Sequence, residues 1–150
     1  MHKIFETINI RMYIKYMKSD TYKIIIAGGR DFDDYESLNK YMDKLISNLP
    51  PSIKSRKIEI VSGTAKGADT LAEKYAEERV YEIELFKPDW DLHGKIAGLV
   101  RNGKMAKYSD ALVVFWDGRS TGTKHMIEQA KKEGIKTSIV YYNTKSKHLF

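Results

Sequence analysis

The chain has 150 residues, 42% of them hydrophobic and 11% aromatic, which is enough for one domain with a buried core and too apolar for a disordered chain. It contains no cysteine, which excludes disulfides, thiolate nucleophiles and cysteine-held zinc or iron–sulfur centres and suits a reducing cytoplasm. Twenty-six basic against 20 acidic side chains leave a net charge of +6, so a polyanionic partner has to be weighed.

Where that charge lies matters more than its sum. Residues 1–20 carry four basic and two acidic side chains, the last ten carry Lys145 and Lys147 with no acid, and residues 21–140 hold 20 basic against 18 acidic. The globular part is nearly neutral. No apolar run reaches the ~18 residues of a membrane span, and Lys3, Glu6, Arg11 and Lys15 interrupt the N-terminus unlike a signal peptide. A soluble, cytoplasmic protein with no membrane partner is expected. His2, His93, His125 and His148 are too scattered for a metal site, and no metal or obligatory cofactor is expected.

In chain order, residues 1–21 read as an N-terminal extension or arm. Ile4, Ile8 and Met12 form a helical stripe that Tyr13, Ile14, Tyr16 and Met17 blur, and Met17 stands where a chain opening on its first strand would start. Residues 22–142 alternate β-branched runs with amphipathic ones, and 143–150 form a basic tail. YKIIIAGG (Tyr22 to Gly29) is the continuous apolar run of a central parallel strand. Leu38, Tyr41, Met42, Leu45, Ile46 and Leu49 recur at helical spacing, stopped by Pro50 and Pro51. Lys57 to Gly63 is the second strand, Ala68, Leu71, Ala72, Tyr75 and Ala76 the next helical face, and Tyr81 to Phe86 the third strand. The loop KPDWDLHG leads to a helix around Ile96, Leu99, Val100 and Met105. Asp110 to Trp116 is the fourth strand, Met126, Ile127 and Ala130 mark the last helix, and Lys136 to Tyr142 is the fifth strand. This rhythm predicts a three-layer α/β, Rossmann-like, doubly wound parallel sheet in the order 3-2-1-4-5. Ligand chemistry then belongs at the carboxyl ends of the strands, beside the switch point between strands 1 and 4.

Four segments fall there. In GGRDF, Gly28 and Gly29 permit a tight turn, Arg30 offers a planar donor fork for phosphate, and Asp31 can bond an amide or a ribose. In VSGTAKGAD, Ser62 and Thr64 supply hydroxyls, Gly63 and Gly67 free the backbone, and a helix start near Lys66 and Asp69 offers amides to an anion. In WDGRSTGTKHM, Asp117, Gly118, Ser120, Thr121, Gly122 and Thr123 form a hydroxyl-rich loop running into a helix N-terminus. Between them, Trp90 can stack on a base or anchor the loop, and Lys95, Gly98, Arg101 and Asn102 lie close to one helical face.

These segments, in this order and spacing, resemble the YspA-type branch of the SLOG superfamily, Rossmann-like domains similar to DprA and to the LOG (lonely guy) phosphoribohydrolases. SGTAKGAD is similar to the serine–glycine loop of DprA, and RNGKMAKYSDALVVF to the LOG run with a functional arginine and a methionine four residues on, here Arg101 and Met105. The resemblance implies a nucleotide or nucleotide-derived ligand in the crevice. It also exposes a departure: the LOG glutamate three residues after the loop threonine is Met126 here, and the nearest acid, Glu128, lies nearly half a helical turn further round.

Three readings follow. The first is a module that senses or sequesters a phosphorylated nucleotide-derived ligand. The second is a nucleotide N-glycosidase, with Arg101 and one of Asp31, Asp69 or Asp117 replacing the missing glutamate. The third, single-stranded DNA binding, would show a steep salt dependence and is disfavoured by the near-neutral globular part. Related folds commonly pair through helices, so a homodimer is expected.

Overall fold

A computed structural model of the chain describes residues 20–143. The expectations for the N-terminal arm, for Met17 and for the tail beyond Asn143 lie outside the described residues.

The run expected as the central strand forms β1 (Thr21–Gly28), with Ile24, Ile25 and Ile26 all fully buried, as a strand covered on both faces requires. β2 (Lys57–Ser62) pairs with one of its edges and β4 (Ala111–Trp116) with the other, both parallel. β3 (Glu82–Leu85) and β5 (Lys136–Tyr141) complete a sheet of order β3-β2-β1-β4-β5. This is the predicted Rossmann-like order.

Alternation along each strand divides the core in two. Ile24, Ile26, Ile60, Val113 and Phe115 face one layer, made by helices α1 (Tyr35–Ser47) and α3 (Ala68–Arg79). Ile25, Ala27, Val61, Leu112 and Val114 face the other, made by α5 (Ala97–Tyr108) and α6 (Thr121–Glu133). The helix starts follow local chemistry: Asp34 accepts from the Ser37 amide to cap α1, and the Ser120 hydroxyl accepts from the Thr123 amide to cap α6. Arg79 and the Tyr75 hydroxyl both donate to the Asp43 carboxylate, locking α3 onto α1.

Four local expectations are corrected. α1 ends at Ser47, capped by Asn48 and short of Leu49, and Pro50 and Pro51 instead begin a one-turn helix, α2 (Pro51–Lys54), because proline is pre-shaped for a first helical position. The third strand is shorter than Tyr81–Phe86, and all four residues of β3 are exposed, because it lies at the sheet edge with one neighbour. The loop after it contains a short helix, α4 (Trp90–His93), capped by Asp89 and followed by a 3₁₀ turn (Gly94–Ile96). The buried face of α5 is Ala97, Asn102, Met105 and Ala106, whereas Ile96 and Leu99 are exposed, since the chain enters α5 from the 3₁₀ turn and the apolar spacing there is shifted.

Phe115 is the keystone of the α1/α3 layer: fully buried, stacked on Phe32 at 4.6 Å between ring centres and met edge-on by Tyr41 at 6.2 Å. Phe115→Ala is expected to cost about 3–5 kcal/mol, read as a lower urea midpoint with an unchanged slope; a loss under ~1 kcal/mol would contradict this packing.

Candidate functional site

All four predicted segments reach the carboxyl-terminal edge of the sheet, where β1 and β4 part. The Gly29 amide donates to the Phe115 carbonyl at 3.0 Å, tying the first loop to the end of β4. The Gly29 carbonyl in turn accepts from the Ala68 amide at 3.2 Å, tying it to the start of α3. Gly67, at φ +80°, packs so closely that a Cβ there would lie 2.3 Å from the Gly29 oxygen, so only glycine fits. This closure corrects one expectation. The first amide of α3 is not open to an anion: it serves Gly29, and Ala68 and Asp69 are buried.

Around these loops lie three adjoining cavities that share Arg30. The innermost, about 220 Å³, is floored by Ala27, Gly28, Met105 and Met126 and walled by Trp90, Lys95, Gly98, Leu99, Arg101, Ser120, Gly122 and Thr123, with Asp69 and Asn102 behind them. A second, about 450 Å³, opens over Gly63, Thr64, Ala65 and Lys66, with Lys87, Pro88, Trp90 and Arg101 opposite. A third lies on the other side, between Gly29, Asp31, Asp117 and the start of α6 at Thr121 and Gly122. Lys95, Gly98 and Arg101 thus reach one cavity, Lys95 from the 3₁₀ turn and the other two from α5, whereas Asn102 belongs to the buried face of α5 behind them.

Arg101 is the most firmly held cation of the cleft. Its guanidinium donates to the Gly63 carbonyl and, through Nε, to Asn102 Oδ1 at 3.0 Å. Asn102 is nearly buried and passes the connection on, its Nδ2 lying 3.4 Å from the Gly122 carbonyl and 3.2 Å from His125 Nδ1. Because Oδ1 faces the arginine, the amide orientation is set, and His125 Nδ1 is the acceptor. Arg101 and Asn102 therefore clamp the second loop to the third. Burial lowers the Arg101 pKa, with Asp69 acting against this and Arg30 adding to it.

Asp69 lies beneath this clamp. Its carboxylate accepts from the Ala65 amide at 3.0 Å, yet burial raises its pKa to about 6, against the lowering effects of that bond and of Arg101. Arg30, in contrast, is exposed, makes no hydrogen bond or ion pair among the described residues, and feels Asp69 and Arg101 only as neighbouring charges.

Several predicted site residues have other work. The Ser62 hydroxyl is fully buried, donates to Glu73 at 2.8 Å and accepts from the Thr64 amide, so it holds the loop and does not face the cavities. Asp117 accepts from the amides of Arg119 and Ser120, both at 2.8 Å, which keeps it below the usual carboxylate range and makes it a turn-former. Asp31 accepts from the hydroxyl of Tyr142, the residue that follows β5 at the same carboxyl edge of the sheet. Ser120 and Thr123 bond each other at 3.1 Å within the α6 cap. Gly118, at φ +80°, shapes the turn without lining a cavity. Trp90 sits on α4, half exposed at 53%, over two of the cavities.

Sequence reasoning missed Lys87, Ala65 and Tyr142. Lys87 was findable, since it directly follows the expected run Tyr81–Phe86 and so falls at the carboxyl edge of the sheet. Tyr142 reaches Asp31 across 111 positions, which no local pattern encodes.

A model of the YspA, cpYpsA-related SLOG family matches residues 22–93. Gene 61 protein of Mycobacterium phage D29 is 34% identical over 119 residues, covering 75% of this chain and 91% of that relative. The chain belongs to the YspA, cpYpsA-related SLOG family. Among solved structures, DNA processing protein A (DprA) from Streptococcus pneumoniae superposes with a TM-score of 0.63 at 20% identity, over 81% of this chain. The chain spans about half (51%) of that structure's length, and the likeness is one of fold. This SLOG domain has no cluster of metal-ligating side chains among its described residues, and none of its described helices is long and apolar enough to cross a membrane.

The raised Asp69 pKa has a measurable sign. The folded protein holds a proton on Asp69 up to about pH 6, whereas the unfolded chain releases it near 3.8, so Asp69 subtracts stability as pH rises between those values. Asp69→Asn keeps an acceptor for Ala65 and removes that loss. Its stability relative to wild type is expected to climb by about 1–3 kcal/mol between pH 4 and 6.5, measured by urea unfolding at several pH values; a flat difference would refute the assignment.

Proposed function

We propose that this SLOG domain binds a phosphorylated nucleotide or nucleotide-derived small ligand in the cleft at the carboxyl ends of its strands, sensing or sequestering it. The observation that carries this reading is the convergence of Arg30 and Arg101 on one cleft whose floor is apolar. Arg101 is pre-oriented by Gly63 and Asn102, so little freedom is lost when it meets an anion. Arg30 has its donor fork uncommitted, the state in which an arginine gains most from a phosphate. Trp90 supplies a flat face for a base beside an inner cavity of about 220 Å³ with Met105 and Met126 in its floor.

A second reading, nucleotide N-glycosidase, is favoured by one observation: a carboxyl group with its pKa raised to about 6 stands in the cavity wall beside Arg101. Against it, the position of the LOG glutamate is Met126, which presents a thioether in the cavity floor, where positive charge developing on a ribose would need a carboxylate. Binding without cleavage is the preferred reading. DNA processing, the role in the name of the structural neighbour, is a property of that protein and is not carried over.

Calorimetry against nucleoside phosphates and ADP-ribose-type compounds tests the proposal. Micromolar binding to at least one is expected, weakened at least tenfold by Arg30→Ala with the melting temperature unchanged. Chromatography of the same mixtures should return the nucleotide intact. Absence of binding at millimolar concentration would overturn the reading, and release of free base would shift it to the glycosidase. The same proposal places the protein in the cytoplasm as a homodimer; light scattering should give about twice the 17.3 kDa chain mass, and the monomer mass would overturn that part.

A further inference from the structure

The three cavities differ sharply in charge, and this orients whatever occupies them. The cavity at the start of α6 is one of the two anion sites expected at helix starts, yet it sets Arg30 beside two carboxylates, Asp31 and Asp117, the second held ionised by the Arg119 and Ser120 amides. The α6 amide of Thr123 is already taken by the Ser120 cap. Two carboxylates beside a helix N-terminus weaken its pull on a multiply charged anion. The inner cavity carries Arg30, Lys95 and Arg101 but is floored by apolar side chains and backed by Asp69.

The remaining cavity is different. It is lined by Arg30, Lys66, Lys87 and Arg101 and by no carboxylate. The nearby amides of Thr64 and Ala65 donate to Ser62 and Asp69, so the charge there is supplied by the side chains. Asp69 offsets part of the charge of Arg101 and Arg30, so the four cations around this space of about 450 Å³ keep at least three positive charges between them. A terminal phosphate near neutral pH carries about two negative charges, too few to match them. A diphosphate, with about three, does.

We infer that the ligand carries at least two linked phosphoryl groups and lies with its phosphates over Thr64, Lys66 and Lys87 and its organic end in the inner cavity. This rests on the binding reading above and adds to it a direction and a minimum charge. Arg30, Arg101 and Trp90 stand at the boundary between the two cavities, where the first phosphate and the sugar meet. Lys66 and Lys87 act as mobile point charges on the outer phosphate, which makes them selective for charge rather than for geometry.

The test is a calorimetric series of mono-, di- and triphosphates of the four common nucleosides, with inorganic phosphate and pyrophosphate as base-free probes, on wild type and on a Lys66→Ala/Lys87→Ala variant. Both lysines are exposed, and an unchanged melting temperature confirms that the variant folds. The di- and triphosphate of the preferred nucleoside should bind at least tenfold tighter than its monophosphate, and pyrophosphate tighter than phosphate. In the double variant these advantages should shrink to about twofold, while monophosphate affinity changes little. Equal affinity for mono- and diphosphates, or a double variant that keeps the preference, overturns this inference and leaves nucleotide binding standing. Absence of binding by every nucleotide overturns both.

Discussion

One residue, Gly29, holds the cleft open. The Gly29 amide and carbonyl are spent on Phe115 and Ala68, so the end of β1, the end of β4 and the start of α3 meet at a single residue. That junction forces close approach: a Cβ on Gly28 would lie 2.2 Å from the Phe115 oxygen, and one on Gly67 2.3 Å from the Gly29 oxygen. Once three elements are fixed to one point, their outgoing loops have to splay, and Arg30, the next residue, is thrust into the space between them. The cleft is a consequence of this knot rather than of any one loop's preference.

The second constraint is the Arg101–Asn102 pair. A buried amide that accepts from an arginine on one side and faces a carbonyl and an imidazole on the other has no spare orientation. The pair joins loops that come from β2 and β4, strands on opposite sides of β1. Asp69 beneath it is kept buried without a full counter-charge, the arrangement that raises a carboxyl pKa and subtracts stability at neutral pH. Such unrelieved burial beside a cleft is common where a site is organised for a ligand instead of for stability.

Charge is distributed unevenly over a domain whose total is almost balanced. The carboxylates of Asp31 and Asp117 gather at the α6 side, and Lys66 and Lys87 at the α3 side, with Arg30 common to both. A cleft polarised along its length favours a ligand that is itself polar along its length, apolar or aromatic at one end and anionic at the other. That picture agrees with a small phosphorylated compound better than with a uniformly charged nucleic acid strand.

The strand order and the two-faced core were legible in the sequence because both depend on short-range patterns: the continuous run Ile24–Ile26, glycine at strand ends, and helical spacing such as Leu38, Met42 and Leu45. The gathering of Arg30, Trp90 and Arg101 at one edge also followed, since topology alone sends every βα loop there. What stayed hidden were side-chain commitments. Ser62, Asp117 and Ser120 have the composition of ligand-binding groups, yet each satisfies backbone or neighbouring atoms, and composition cannot tell a hydroxyl facing a cleft from one closing a turn. Lys87 and Tyr142 acquired their roles through distant partners. Sequence determined that there is a cleft and which loops form it, because periodicity and glycine placement act locally. Tertiary structure alone decided which end of that cleft is positive, because charge adds up over residues that only folding brings together.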